Sequence, residues 1–232
     1  MTNRWSSNRV IAAVLASLGA ASLIFYAVPA IDLYLSGLFY NGQTFPIASI
    51  RPVEWLRILL YIAEDAGFLF TLAAALYAAR RGTILNLRCR DWLYQASIFV
   101  LGPGLIVNRI LKSFWGRARP YQITAFGGDK HFSPAWVVSD QCASNCSFSS
   151  GEMAGATALA ICLSLVLRAN RDRMGPAIHR LAQILTLAIP LLTAVQRITV
   201  GRHFLSDVVI STLIVLLIAA LLRPAFYRSP AV

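Results

Sequence analysis

Six long apolar runs dominate this chain and leave few folds open to it. They fall at roughly residues 10–30, 58–79, 92–111, 150–168, 181–196 and 208–222. Each approaches the ~20 residues an α-helix needs to cross a hydrocarbon core. In lipid every backbone N–H and C=O must find a partner inside the protein, which selects helices over open strands. Of the 232 residues, 57% are hydrophobic and only 13% charged, a charged share about half that of an ordinary soluble domain. The expectation is an all-α bundle of six transmembrane helices, one integral membrane domain over residues 1–232. No internal repeat or low-complexity tract divides it. The leading MTNRWSSNRV precedes an apolar run longer than a signal-peptide core, with no small-x-small cleavage site before the next polar stretch. It reads as an uncleaved first helix. The second run is the least regular, because Glu64 and Asp65 sit early in it. Part of 52–65 is open to a flat, amphipathic placement on the membrane surface. The fifth and sixth runs are short and are expected to extend into their flanking loops.

Arginine and lysine set the orientation. The formal charge of +11 comes from 21 Lys and Arg against 10 Asp and Glu. These cations sit at the ends of the apolar runs, a topology signal, and form no nucleic-acid patch. One side would carry twelve: Arg4, Arg9, Arg80, Arg81, Arg88, Arg90, Arg168, Arg171, Arg173, Arg180, Arg223 and Arg228. The other carries nine: Arg51, Arg57, Arg109, Lys112, Arg117, Arg119, Lys130, Arg197 and Arg202. The excess makes the first side cytoplasmic and places both termini there. Most of the nine fall into two tight clusters on the side that should hold few cations, which points to chemistry. Residues 31–57 mix aromatics with Gly, Pro and Asn, as an interfacial segment does. Residues 112–149 form the longest polar stretch, broken by Pro120, Gly127, Gly128 and Pro134.

Three clusters emerge on that outer side. Lys112, Arg117 and Arg119 lie within eight residues; a guanidinium grips phosphate through two prongs and a lysine adds a point charge. Taken alone, the cluster is also an ordinary stop-transfer signal. Ser149, Ser150 and Gly151 precede a helix whose unpaired N–H groups and dipole favour an anion. Taken alone, Ser150 is a plain N-cap. Arg197, Arg202, His203 and Asp207 make the third cluster. His203 and Asp207 are four apart, so a helix places them on one face. Asp207 then holds one ring nitrogen and leaves the other as a base or nucleophile. Converging arginines, a helix start and a His–Asp pair are the parts for phosphoryl transfer through a covalent phosphohistidine, with no metal required. His131 and His179 have no ligand-like company.

These motifs resemble the type 2 phosphatidic acid phosphatase superfamily, whose pattern is Lys-x6-Arg-Pro, Pro-Ser-Gly-His and Ser-Arg-x5-His-x3-Asp. The chain carries Lys112 through Arg119-Pro120, then Ser149-Ser150-Gly151-Glu152, then Gln196-Arg197 with His203 and Asp207 at the family spacing. The DLYLSGLFYNG stretch also looks like bacterial members that act on lipid A. The resemblance implies a six-helix membrane phosphatase without cofactor, its site facing the periplasm from the inner membrane. Lys112, Arg119 and Arg197 would bind phosphate oxygens, Ser150 and Gly151 would donate to the same phosphate, His203 would attack phosphorus and Asp207 would orient it. Its partners would be the bilayer and a phospholipid or lipid A substrate; neither nucleic acid nor a protein partner is expected.

Glu152 stands where the family has the histidine that protonates the leaving oxygen. It is either a replacement acid or an ionised group beside a leaving oxygen that needs little help. The second reading favours an anomeric phosphate such as the 1-phosphate of lipid A. Phosphatidylglycerol phosphate, phosphatidic acid and undecaprenyl pyrophosphate stay open, as does a non-catalytic protein that only binds lipid headgroups. Arg117, Lys130 and Arg202 suit a substrate with more than one phosphate, or are ordinary surface charges. Cys142 and Cys146 share the outer loop, where an oxidising compartment permits a disulfide; two free thiols are the alternative. No His or third Cys stands near enough to complete a zinc site with them.

Overall fold

Every apolar run forms a helix, and most extend beyond the run that seeds them. The structure, a computed structural model, describes residues 4–227; Arg228, counted above with the cytoplasmic cations, lies outside the described residues. Helix α1 covers Arg4–Ala27, α2 Ala30–Gly37 and α3 Arg51–Arg81. A hairpin of β1, Thr83–Ile84, and β2, Leu87–Arg88, leads into α4, Cys89–Phe99. The third span continues through a π-helical stretch, Val100–Leu111, and the short α5, Lys112–Phe114. Helices α6, Gly151–Ala169, α7, Pro176–Thr199, and α8, Leu205–Tyr227, complete the bundle. Six of these segments are long and apolar enough to cross a membrane.

The 52–65 region does not lie flat. Helix α3 runs unbroken for 31 residues, with proline in its first turn, where the missing N–H costs nothing. At 1.5 Å per residue it is ~46 Å long against a ~30 Å hydrocarbon core. The helix is thus longer than a span needs, and its first two turns carry Glu54 and Arg57, the latter within reach of Glu152. The connection after α3 is a tight antiparallel hairpin rather than a plain loop. Leu85 and Asn86 both take positive φ there, the geometry of a two-residue hairpin turn.

Helix α6 is the hub, packed by α3, α7, α8 and the π-helical stretch. Its sequence GEMAGATALA shows why: with Ala154, Ala156 and Ala158 fully buried, small side chains let neighbouring backbones close in, which packs helices where no hydrophobic drive exists between them. Helix α1 packs on α8. Pro103 interrupts the third span, and the π-helical turns around it absorb the lost hydrogen bond. At the end opposite the hairpin, residues 115–150 fold over the helix ends. Trp136 and Phe148 pack against each other and against Trp115, and the Trp136 indole N–H donates to Ser22 Oγ at 2.9 Å. The segment after α1 contributes more than interfacial aromatics, because Asp32 is fully buried.

Candidate active site

Arg117 is the node that joins the outer segments. Its guanidinium is sealed from solvent. Nε donates to the Ser133 carbonyl at 2.8 Å, Nη1 to Ser206 Oγ at 2.8 Å and Asp207 Oδ1 at 2.6 Å, and Nη2 to Asp32 Oδ2 at 2.9 Å. The Phe204 ring lies 4.3 Å from its centre. Arg117 is thus neither a substrate cation nor a surface charge, as its neighbours in sequence suggested. Its fork is consumed by two carboxylates, and a buried charge survives only when paired in this way.

Asp207, in the first turn of α8, receives the remainder of the network. Its Oδ2 accepts from Ser147 Oγ at 2.5 Å and from the Phe204 N–H at 2.9 Å. The same Oδ2 lies 3.5 Å from His203 Nδ1, too long for a well-formed hydrogen bond, so the carboxylate faces that nitrogen and leaves Nε2 as the ring's other one. Gly201, at φ 67°, reverses the chain between α7 and α8. The N–H groups of Arg202 and His203 then both donate to the Arg197 carbonyl, at 3.1 and 3.2 Å. One short turn therefore fixes Arg197 beside His203. Burial pushes His203 down to about 4, against the pull of Asp207, so the imidazole is neutral, the form a nucleophile needs. Its side chain is almost wholly enclosed and is not among the residues that line the cavity described next.

That cavity, about 1500 Å³, opens between α3, the third span and the outer ends of α6 and α7. Lys112, Arg119, Gly151, Glu152 and Arg197 line it. No carboxylate pairs with Lys112 or Arg119 among the described residues. Arg119 instead donates to the Asn145 carbonyl through Nε and Nη2 at 3.3 and 2.8 Å, and through Nη2 to its side-chain oxygen at 3.1 Å. Burial lowers its pKa, the cost of holding a cation away from water without an anion. Asn145 sits in a loop closed by the Cys142–Cys146 disulfide, Cα atoms 5.6 Å apart. Gly151 is required on space: a Cβ there would come within 2.2 Å of Asn108 Oδ1.

Other expected residues take different positions. Ser150 is fully buried and caps α6, its Oγ accepting from the Met153 N–H at 3.3 Å while its own N–H donates to the Asp207 carbonyl at 3.4 Å. The N-cap role is the one the geometry displays. Lys130 pairs with exposed Asp129 at 3.1 Å and does not line the cavity. Arg202 does line it, with Tyr121 stacked 4.6 Å away.

Glu152 accepts from two guanidinium groups. Arg197 Nη1 reaches Oε1 at 2.9 Å, and Arg57 reaches the same oxygen through Nε and Nη2, both at 3.1 Å. Arg57 was visible in the sequence only as one outer cation among nine. Asp32 was visible only as the start of an interfacial stretch. A lone acid and a lone base beside apolar runs were the signals that pointed to each. Glu64, buried in α3 with Oε2 against Gly155, also lines the cavity.

The PAP2 superfamily profile matches residues 92–230. The chain is 31% identical to the lipid A 4'-phosphatase of Rhizobium leguminosarum over 214 residues, covering 86% of this chain and 88% of that protein. It is 32% identical to the lipid A 4'-phosphatase of Rhizobium etli, covering 86% and 80%. Identity to the lipid A 4'-phosphatase of Francisella tularensis subsp. novicida is 28%, covering 90% and 91%. The crystal structure of a PAP2 type phosphatidylglycerolphosphate phosphatase from Bacillus subtilis superposes with a TM-score of 0.58, over 93% of this chain and 94% of that one. At 18% identity that likeness is one of fold.

Proposed function

The chain belongs to the PAP2 superfamily, and on that premise we propose that it removes the 4'-phosphate of lipid A at the periplasmic face of a bacterial inner membrane. It is a multi-pass membrane phosphoric monoester hydrolase acting on lipid. One observation carries the reading of its site: a single cavity gathers Lys112, Arg119, Arg197 and Gly151, and the turn that follows Arg197 holds His203 with Nδ1 3.5 Å from Asp207. In this reading the three cations and the start of α6 hold the phosphate oxygens. Neutral His203 attacks phosphorus through Nε2, the P–O bond to the sugar breaks, and the departing sugar oxygen takes a proton from water in the cavity. Water then attacks the phosphohistidine, releasing phosphate and restoring the neutral ring. Asp207 stabilises the charged ring in between, braced by Arg117.

The expectation of the 1-phosphate rested on the acidity of an anomeric leaving oxygen. The three relatives above are all named for the 4' position, and the proposal moves there. The arrangement around Glu152 favours an acceptor over a proton donor, because every group it meets is an N–H of arginine. The cation balance of twelve against nine supports a periplasmic cavity with both termini in the cytoplasm.

The test is purified protein acting on lipid A labelled in both phosphates. The expected product has lost the 4'-phosphate and kept the 1-phosphate, and His203→Ala abolishes release. Loss of the 1-phosphate instead, or hydrolysis of phosphatidic acid alone, refutes the substrate assignment. Release that survives His203→Ala refutes the phosphohistidine.

A further inference from the structure

Glu152 occupies the cation that the proposed mechanism needs for phosphate. Arg197 Nη1 is engaged by Glu152 Oε1 at 2.9 Å, and its Nε is engaged by Gln196 Oε1. The Arg197 side chain is 4% exposed and that of Glu152 17% exposed. Arg117 shares its guanidinium between two carboxylates by giving each its own nitrogen. A phosphate dianion that needs Nη1 of Arg197 meets the carboxylate already on that nitrogen, and the two like charges repel there. Glu152 must therefore give up Nη1 for phosphate to seat on it. A carboxylate released in a half-buried wall needs another cation.

That cation is in place. Arg57, near the start of α3, already holds Glu152 Oε1 through Nε and Nη2 at 3.1 Å each, and holds Oε2 through Nε at 3.3 Å. Its remaining arm, Nη1, donates to Glu54 Oε1 at 2.9 Å. Glu54 thus steadies the arginine from the solvent side. Glu64, Asp65, Arg109, Lys112, Arg119 and Arg202 are the other charged groups that line the same cavity.

We propose that Glu152 is an exchangeable plug in the phosphate site, and that Arg57 is the positioning residue that draws it off Arg197 when phosphate enters. Arg57 need not touch substrate to do this. Its effect is on how strongly Glu152 competes for Arg197. The inference rests on Arg197 as a phosphate ligand, and on nothing about which lipid is hydrolysed.

The experiment is binding of inorganic phosphate to the detergent-solubilised full chain by calorimetry, in a double-mutant cycle. Arg57→Ala leaves Glu152 with Arg197 as its partner and weakens phosphate binding about tenfold, whereas in a Glu152→Gln background the same substitution costs less than about twofold. Glu152→Gln alone binds phosphate at least as tightly as the native chain. A simple loss of positive charge gives additive effects, so equal costs of Arg57→Ala in both backgrounds overturn the proposal. So does Glu152→Gln weakening phosphate binding, an outcome that is readable even if Arg57→Ala fails to fold. Absence of phosphate binding by the native chain removes Arg197 as a ligand and ends the inference. A chain that shows the predicted cycle but leaves lipid A intact refutes only the substrate assignment.

Discussion

Arg117 and Arg119 lie two residues apart in one loop, yet the first is sealed in a saturated network while the second faces a cavity in the company of carbonyl and amide oxygens. Arg117 meets two carboxylates, a hydroxyl and a carbonyl, all enclosed. Arg119 and Lys112 line that cavity without a carboxylate partner among the described residues, whereas Arg197 beside them holds Glu152. The contrast separates two uses of the same side chain. Where every donor is satisfied, arginine fixes the fold and the aspartate behind the nucleophile. Where donors face an open volume, arginine is available to an anion that arrives later. Motif spacing alone cannot distinguish the two, because both residues sit inside the same Lys-x6-Arg segment.

The largest expected effect breaks the saturated side. Arg117→Leu leaves Asp32 and Asp207 buried against each other without a counter-ion, a loss of about 3–5 kcal/mol for a broken buried pair. The expected readout is a large fall in thermal midpoint in detergent, or no folded protein in the membrane fraction. Lysine does not rescue it, since one ammonium cannot span acceptors on three segments. A midpoint within a few degrees of the native chain would show that the network is dispensable to the fold. The open side responds differently. Arg119→Ala is expected to lower kcat/KM about a hundredfold, near 2.7 kcal/mol, the scale of one lost charge-stabilising donor, with the thermal midpoint unchanged. A drop in stability matching that of Arg117→Leu would erase the distinction between the two arginines.

Much of this was legible in the sequence, for identifiable reasons. Apolar runs specify helices because lipid offers the backbone no other partner, and so the six spans were visible. Lys112, Arg119, Arg197, His203 and Asp207 were visible because fixed spacings at helix ends carry them to one place. Asp32 was not, since its partners Arg117 and Ser206 lie 85 and 174 residues away, and no local pattern encodes a contact at that range. Arg57 was hidden by a continuation: the apolar run begins at about residue 58, whereas α3 starts at Arg51 and its first turns reach Glu152. Ser150 reads equally well as a phosphate donor or as a cap from sequence, and the buried position of its hydroxyl separates the two.

His203 stands where the saturated and open regions meet, and its titration gives the smallest and sharpest test. Burial pushes it down to about 4, whereas an ordinary histidine titrates near 6.5. The folded protein therefore resists a proton that the unfolded chain accepts below about pH 6.5. Stability falls as pH drops from there toward about 4, where the folded form is finally protonated. The proposed nucleophile stays neutral across that window, while an exposed histidine would be roughly nine-tenths protonated at pH 5.5. Ring-labelled histidine NMR reads this directly, with His203→Ala assigning the signal among the three histidines. One imidazole is expected to hold its neutral shifts down to about pH 4.5. Three imidazoles all titrating near 6.5 would place His203 in water, and the enclosed side of the comparison would then end at Asp207.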